Sequence, residues 1–81
     1  MTWLRPIDVW FAEQVFVFQD LHRRYARRLT GSEVEAEDLV QEAYTRLFRL
    51  EHWAQIANPH AFTMRILHNE AMERFRRADV V

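Results

Sequence analysis

The apolar positions of this chain recur mostly at intervals of three and four residues, so it reads as a set of helices with one buried stripe each. The stripe is cleanest between Ser32 and Leu50, where Ala36, Leu39, Val40, Ala43, Tyr44, Leu47 and Phe48 line up. Before it, Trp10, Gln14, Val17, Leu21, Tyr25 and Leu29 keep a mostly apolar line that Phe11 and Phe18 widen. That line predicts a first helix from Pro6 or Asp8 to Leu29. After it, Met64, Leu67, Ala71 and Phe75, supported by Phe62 and Ile66, predict a third helix from Pro59 to about Arg77. The run Val15-Phe16-Val17-Phe18 is a local conflict, because β-branched and aromatic residues favour strands. No period-two partner occurs elsewhere, so the run is assigned to the first helix.

Punctuating residues set the boundaries. Gly31, the only glycine, stands where the first helix must end in a left-handed turn, which glycine adopts without steric cost. Ser32 and Glu35 form S-x-x-E, a capping box for the second helix. Asn58 and Pro59 fit an N-cap and a first helical position, and Pro6 is tolerable only near a helix start. Residues 51–57 read as a loop with room for one short turn, and residues 78–81 as a fraying tail. The expected fold class is therefore all-α, a compact three-helix domain whose first two helices are antiparallel because their link is short.

Eighty-one residues make a single domain, 1–81, with residues 1–10 as an N-terminal extension. The net charge of −1 argues against a general nucleic-acid binder, so the distribution of charge decides more than its sum. Arg23, Arg24, Arg27 and Arg28 form a basic block, and Glu33, Glu35, Glu37, Asp38 and Glu42 an acidic one. Arg65, Arg74, Arg76 and Arg77 make the C-terminal part basic again, diluted by Glu70 and Glu73. The absence of cysteine excludes a disulfide framework and a thiolate zinc site. His22, His52, His60 and His68 never stand four apart, so no metal site is expected. No nucleophile–base arrangement, phosphate-cradling loop or paired-carboxylate cleft can be picked out, so the chain reads as a non-enzyme without cofactor or small-molecule substrate. It has no apolar run of membrane-spanning length and no secretory leader pattern, which predicts a cytoplasmic protein.

Two polar groupings remain that helix solvation alone does not require. Asp38, Gln41, Glu42 and Thr45 fall on one side of the second helix, and Arg65, Asn69 and Arg76 share a face of the third, with His68 and Glu73 nearby. The stretch EDLVQEAYTRLFRL, preceded by RRYARRLTGS, resembles region 2 of bacterial sigma-70 family factors, above all the extracytoplasmic-function (ECF) group. The later stretch NPHAFTMRILHNEAMERFRR resembles the promoter-melting and −10-reading part of that region, so the resemblance runs from about Phe11 to Arg77.

The resemblance implies a transcription initiation module that binds RNA polymerase core and melts the promoter −10 element without nucleotide hydrolysis. Asp38, Gln41 and Glu42, with Thr45 continuing their side, would meet the clamp helices of the polymerase β′ subunit. Carboxylates accept from partner arginines, and Gln41 both donates and accepts. Glu33, Glu35 and Glu37 are explained by the helix dipole instead. Asn69, Arg65 and the loop 51–58 would hold a base flipped out of the non-template strand, offsetting an unstacking cost of a few kcal/mol. Trp53 is either a stacking platform, worth ~1–3 kcal/mol per base, or a loop tryptophan folded on the core. Arg46 and Arg49 could contact phosphates, although Arg46 could equally pair with Glu42 at i,i+4. His68, Arg76 and Arg77 complete the DNA-facing set. The arginine block of the first helix reads as a solvated face that favours the helix dipole and pairs in part with the acids of the second helix.

Two departures stand out. Glu70 occupies a position beside Asn69 where an uncharged residue is usual, and the basic run after Arg74 is short. An anti-sigma factor is a further expected partner. A whole factor of this kind carries a second helical domain, region 4, to which nothing here corresponds; a fragment with the linker starting at 78–81 is expected, or a single-domain version. The alternative from another class is a sigma-like decoy that binds an anti-sigma factor without reading DNA. Glu70 and the short basic tail lean that way, and the intact D-L-V-Q-E run leans against it.

Overall fold

A computed structural model describes residues 3–79. Four α-helices follow in order: α1 (Pro6–Gln14), α2 (Gln19–Thr30), α3 (Glu33–Phe48) and α4 (Pro59–Asp79). Short 3-10 turns at Phe16–Phe18 and Trp53–Gln55 join α1 to α2 and α3 to α4. The described residues contain no strand, so the all-α class stands.

The caps fall where the sequence places them. Gly31 closes α2 in the left-handed region at φ 71°, its N–H donating to the Arg27 carbonyl at 2.7 Å. The Ser32 hydroxyl accepts from the Glu35 N–H at 3.3 Å and starts α3. The Asn58 side-chain oxygen accepts from the Ala61 N–H at 3.0 Å and starts α4 at Pro59. At the front, the Asp8 carboxylate accepts from both the backbone and the guanidinium of Arg5, which holds its carboxyl below the usual carboxylate range.

The predicted first helix is divided. Val15 leaves helical geometry at φ −123°, ψ −57°, and Phe18 bonds back to the Val15 carbonyl as a 3-10 turn. The strand-favouring run breaks the helix where the aromatic rings need different targets. Phe16 packs back on Phe11 at 6.0 Å between ring centres, and Phe18 lies on His60 at 4.4 Å. The inward line is also one residue later than predicted: Ile7, Val15, His22 and Ala26 are buried, while Val17 and Leu21 are exposed at 63% and 43%. Hydropathy undervalues both inward residues of α2. His22 is polar but hydrogen-bonded, and Ala26 is small but lets α3 approach.

Val15, Leu39, Leu47 and Leu67 form the fully buried centre, with Ala26, Ala43 and Ala71 where helices meet. Ion pairs show the direction of packing. Arg23–Glu37 and Arg27–Glu33 run antiparallel between α2 and α3, and Asp38–Arg74 and Arg46–Glu70 do so between α3 and α4. On α4 the buried residues are Thr63, Leu67, Glu70 and Ala71. Phe75, predicted in this stripe, is 51% exposed, because it sits at the stripe's edge beyond the last buried position. Ala78 and Asp79 continue α4 instead of fraying, and Val80 and Val81 lie outside the described residues, as do Met1 and Thr2 of the predicted N-terminal extension.

Candidate functional site

The buried stripe of α3 turns its opposite side fully outward. Asp38, Gln41, Glu42 and Thr45 are all exposed there. Among the described residues the Gln41 and Glu42 side chains make no hydrogen bond or ion pair, so their polar capacity is unspent. The Thr45 hydroxyl donates to the Gln41 carbonyl at 2.9 Å, which leaves its methyl group and its acceptor lone pairs unspent. Asp38 is tied to Arg74 of α4 at 2.9 Å, yet remains largely solvated. Val34 belongs to the same face, one turn before Asp38, and is 81% exposed. It borders an open groove with Glu33, Glu37, Asp38 and Gln41. The sequence reading passed over Val34; its i,i+4 spacing to Asp38 was the available signal.

The arginines expected to meet DNA divide into engaged and free. Arg46 forms an ion pair with Glu70 at 2.7 Å, across to α4 and not with Glu42. Glu70, the departure from the family pattern, is 9% exposed and serves as the internal counter-ion of Arg46. Arg76 and Arg77 both pair with Glu73, and the Arg76 hydrogen bond holds the Glu73 carboxyl below its usual range. Arg49 and Arg65 are exposed and form no ion pair among the described residues. Asn69 is exposed on the outward side of α4, one turn past Arg65, while His68 beside it is half-buried.

The loop between α3 and α4 meets the start of α4 in a groove of about 450 Å³. His52, Gln55, Ile56, Ala57, Asn58, Ala61, Phe62 and Arg65 line it. The loop and Arg65 thus line one groove, in which Ile56, Ala57, Ala61 and Phe62 stand beside the Arg65 cation. Asn69 lies outside the lining, further along α4. Trp53 also lies outside it: its ring packs on Trp10 of α1, 5.4 Å between centres, and is half-buried.

A buried polar chain underlies the α4 start. His22 Nδ1 lies 2.7 Å from the Tyr44 hydroxyl and His22 Nε2 lies 3.3 Å from His60 Nδ1. The two imidazoles stack at 5.3 Å and 24°. Burial, and secondarily the neighbouring His60, push His22 down to about 4. Burial pushes the Tyr44 hydroxyl up to about 12. The sequence reading missed this chain because its members lie 22 and 38 residues apart.

No helix among the described residues is long and apolar enough to cross a membrane. No curated protein and no solved structure matches the chain. The family model for sigma-70 region 2 matches residues 17–80, which takes in the second, third and fourth helices, the acidic face and the groove. The chain therefore belongs to the sigma-70 region 2 family, a module of transcription initiation factors.

Proposed function

We propose that the domain acts as region 2 of an ECF-type sigma factor, docking on RNA polymerase core through α3 and reading the −10 element through α4. Asp38, Gln41 and Glu42 meet cationic and amide groups of the β′ clamp helices, and Thr45 and Val34 supply apolar contact beside them. The observation that supports this most is the unspent polarity of Gln41 and Glu42 on the side of α3 turned away from the core. A rigid helix already presenting these groups loses little freedom on binding.

With the domain docked, the groove of residues 52–58 and Arg65 takes up an unstacked non-template base. Apolar Ile56, Ala57 and Phe62 replace its stacking partners, and Arg65 meets the phosphate or base edge. Asn69 holds the base or its neighbour by its amide, and Arg49 adds a phosphate contact. Arg46, Arg76 and Arg77 contribute to the field of this face while shared with Glu70 and Glu73. With so few free cations, DNA binding by the isolated domain is weak and depends on the polymerase to hold it in place. An anti-sigma factor covering the α3 face is the matching regulator.

The test is capture of a single-stranded −10 oligonucleotide by core polymerase loaded with this domain, followed by fluorescence anisotropy. Arg65→Ala and Asn69→Ala should weaken capture several-fold and leave loading on core unchanged. Capture indifferent to both substitutions would refute the placement of the base.

A further inference from the structure

Three side chains from three helices meet beneath the first turn of α4. Tyr44 of α3 and His22 of α2 are buried, and His60 of α4 is half-buried with Phe18 packed on its ring. One arrangement of hydrogens satisfies both contacts of this chain and leaves the Tyr44 hydrogen paired. The Tyr44 hydroxyl has no other acceptor among the described residues, so it donates to His22 Nδ1. His22 Nε2–H then donates to His60 Nδ1, and both ring nitrogens of His22 are paired.

One added proton breaks this arrangement wherever it lands. On His22 Nδ1 it faces the Tyr44 hydroxyl, which then has no acceptor for its own hydrogen. On His60 Nδ1 it faces His22 Nε2–H, so the chain must reverse and the Tyr44 hydrogen is again orphaned. A second proton sets two N–H groups against each other across 3.3 Å. Nothing nearby offers compensation. Among the described residues neither imidazole forms an ion pair with a carboxylate, Phe18 covers His60, and the charges near Tyr44, Arg23 and Glu37, are paired with each other.

We propose that the Tyr44–His22–His60 chain is a proton-sensitive latch, and that proton uptake by His22 unties the first turn of α4 and displaces the groove beside it. His60 follows Pro59 directly and precedes Ala61 and Phe62, which line that groove. A shift of His60 is therefore carried to the groove within one helical turn. The latch is a property of the free domain; only its effect on DNA rests on the proposed −10 reading.

The experiment is an NMR titration of the full chain from about pH 6.5 to about pH 3, a range that contains the folded His22 value of about 4. The ring signals of His22 and the amide signals of Ala61, Phe62 and residues 53–57 should move together with a common midpoint. His22→Gln keeps a side chain that can bond its two neighbours but cannot take up the proton, and it should abolish the amide response in this range. Amides that stay still while the His22 ring titrates, or that respond equally in His22→Gln, would overturn the latch.

Discussion

Removing either partner of the Arg46–Glu70 pair should have unequal consequences. The Glu70 side chain is 12% exposed and that of Arg46 is 53% exposed, with 2.7 Å between them. Arg46→Ala strands a nearly buried carboxylate, which loses its charge partner and cannot fully hydrate. Such a loss costs about 1.5–3 kcal/mol. Glu70→Gln keeps an acceptor for a guanidinium that already reaches water, so it costs ~0–1 kcal/mol, the range of solvated pairs. In a domain of this size each kcal/mol shifts Tm by roughly 4–8 °C. Arg46→Ala should therefore lower Tm by roughly 6–24 °C and Glu70→Gln by no more than about 8 °C. Adding Glu70→Gln to Arg46→Ala should recover most of the loss, because the stranded charge is then gone. Thermal unfolding of the three variants near neutral pH reads this directly. Equal losses for the two single variants, or no recovery in the double, would refute the internal counter-ion account of Glu70. Glu70→Gln also removes the charge that neutralises Arg46, so the salt dependence of single-strand capture should steepen by about 0.7 in log–log slope, one phosphate's worth.

Acidification should destabilise the fold through His22, whose folded value of about 4 lies below its ordinary 6.5. The unfolded chain then takes up the proton first, so the contribution is complete above about pH 6.5 and is lost as pH falls towards about 4. By pH 5 the loss amounts to about 1–2 kcal/mol in urea unfolding, and His22→Gln should lack this component; parallel curves for the two proteins would count against the buried neutral imidazole. Leu39→Ala and Leu47→Ala each empty a fully buried site and should cost ~2–5 kcal/mol, so near-native melting of both would contradict the phase of α3. In a complete two-domain factor, Asn69→Ala should spare core binding and slow open-complex formation; equal loss of both would contradict the division of roles between α3 and α4.

Local chemistry made much of this fold readable. Gly31, Ser32 and Asn58 act within one turn of their own position, so the α2 end and the α3 and α4 starts follow from adjacent residues. The α3 stripe was equally plain, because all its inward residues are apolar. The first helix was harder. Its division at Val15 depends on where Phe16 and Phe18 find partners, and its inward line contains a histidine whose burial depends on Tyr44 and His60. Phe75 was misplaced because periodicity continues along α4 after its neighbours have run out. At the candidate site, the outward set on α3 was legible from spacing, and the placing of Arg65 with the loop came from the family resemblance. The engagement of Arg46 with Glu70 and of Trp53 with Trp10 was not, because each pairing crosses between helices or loops far apart in the chain.

The central claim is that α3 is a polymerase-docking face. It is tested most directly by titrating this domain against bacterial core RNA polymerase, with Gln41→Ala and Glu42→Arg alongside the wild type. Both positions are exposed and make no side-chain hydrogen bond or ion pair among the described residues, so the variants should fold as the wild type does. The account predicts saturable binding that both substitutions weaken, Glu42→Arg more strongly because it reverses a charge facing cations. Absence of binding, or binding indifferent to both changes, would contradict it.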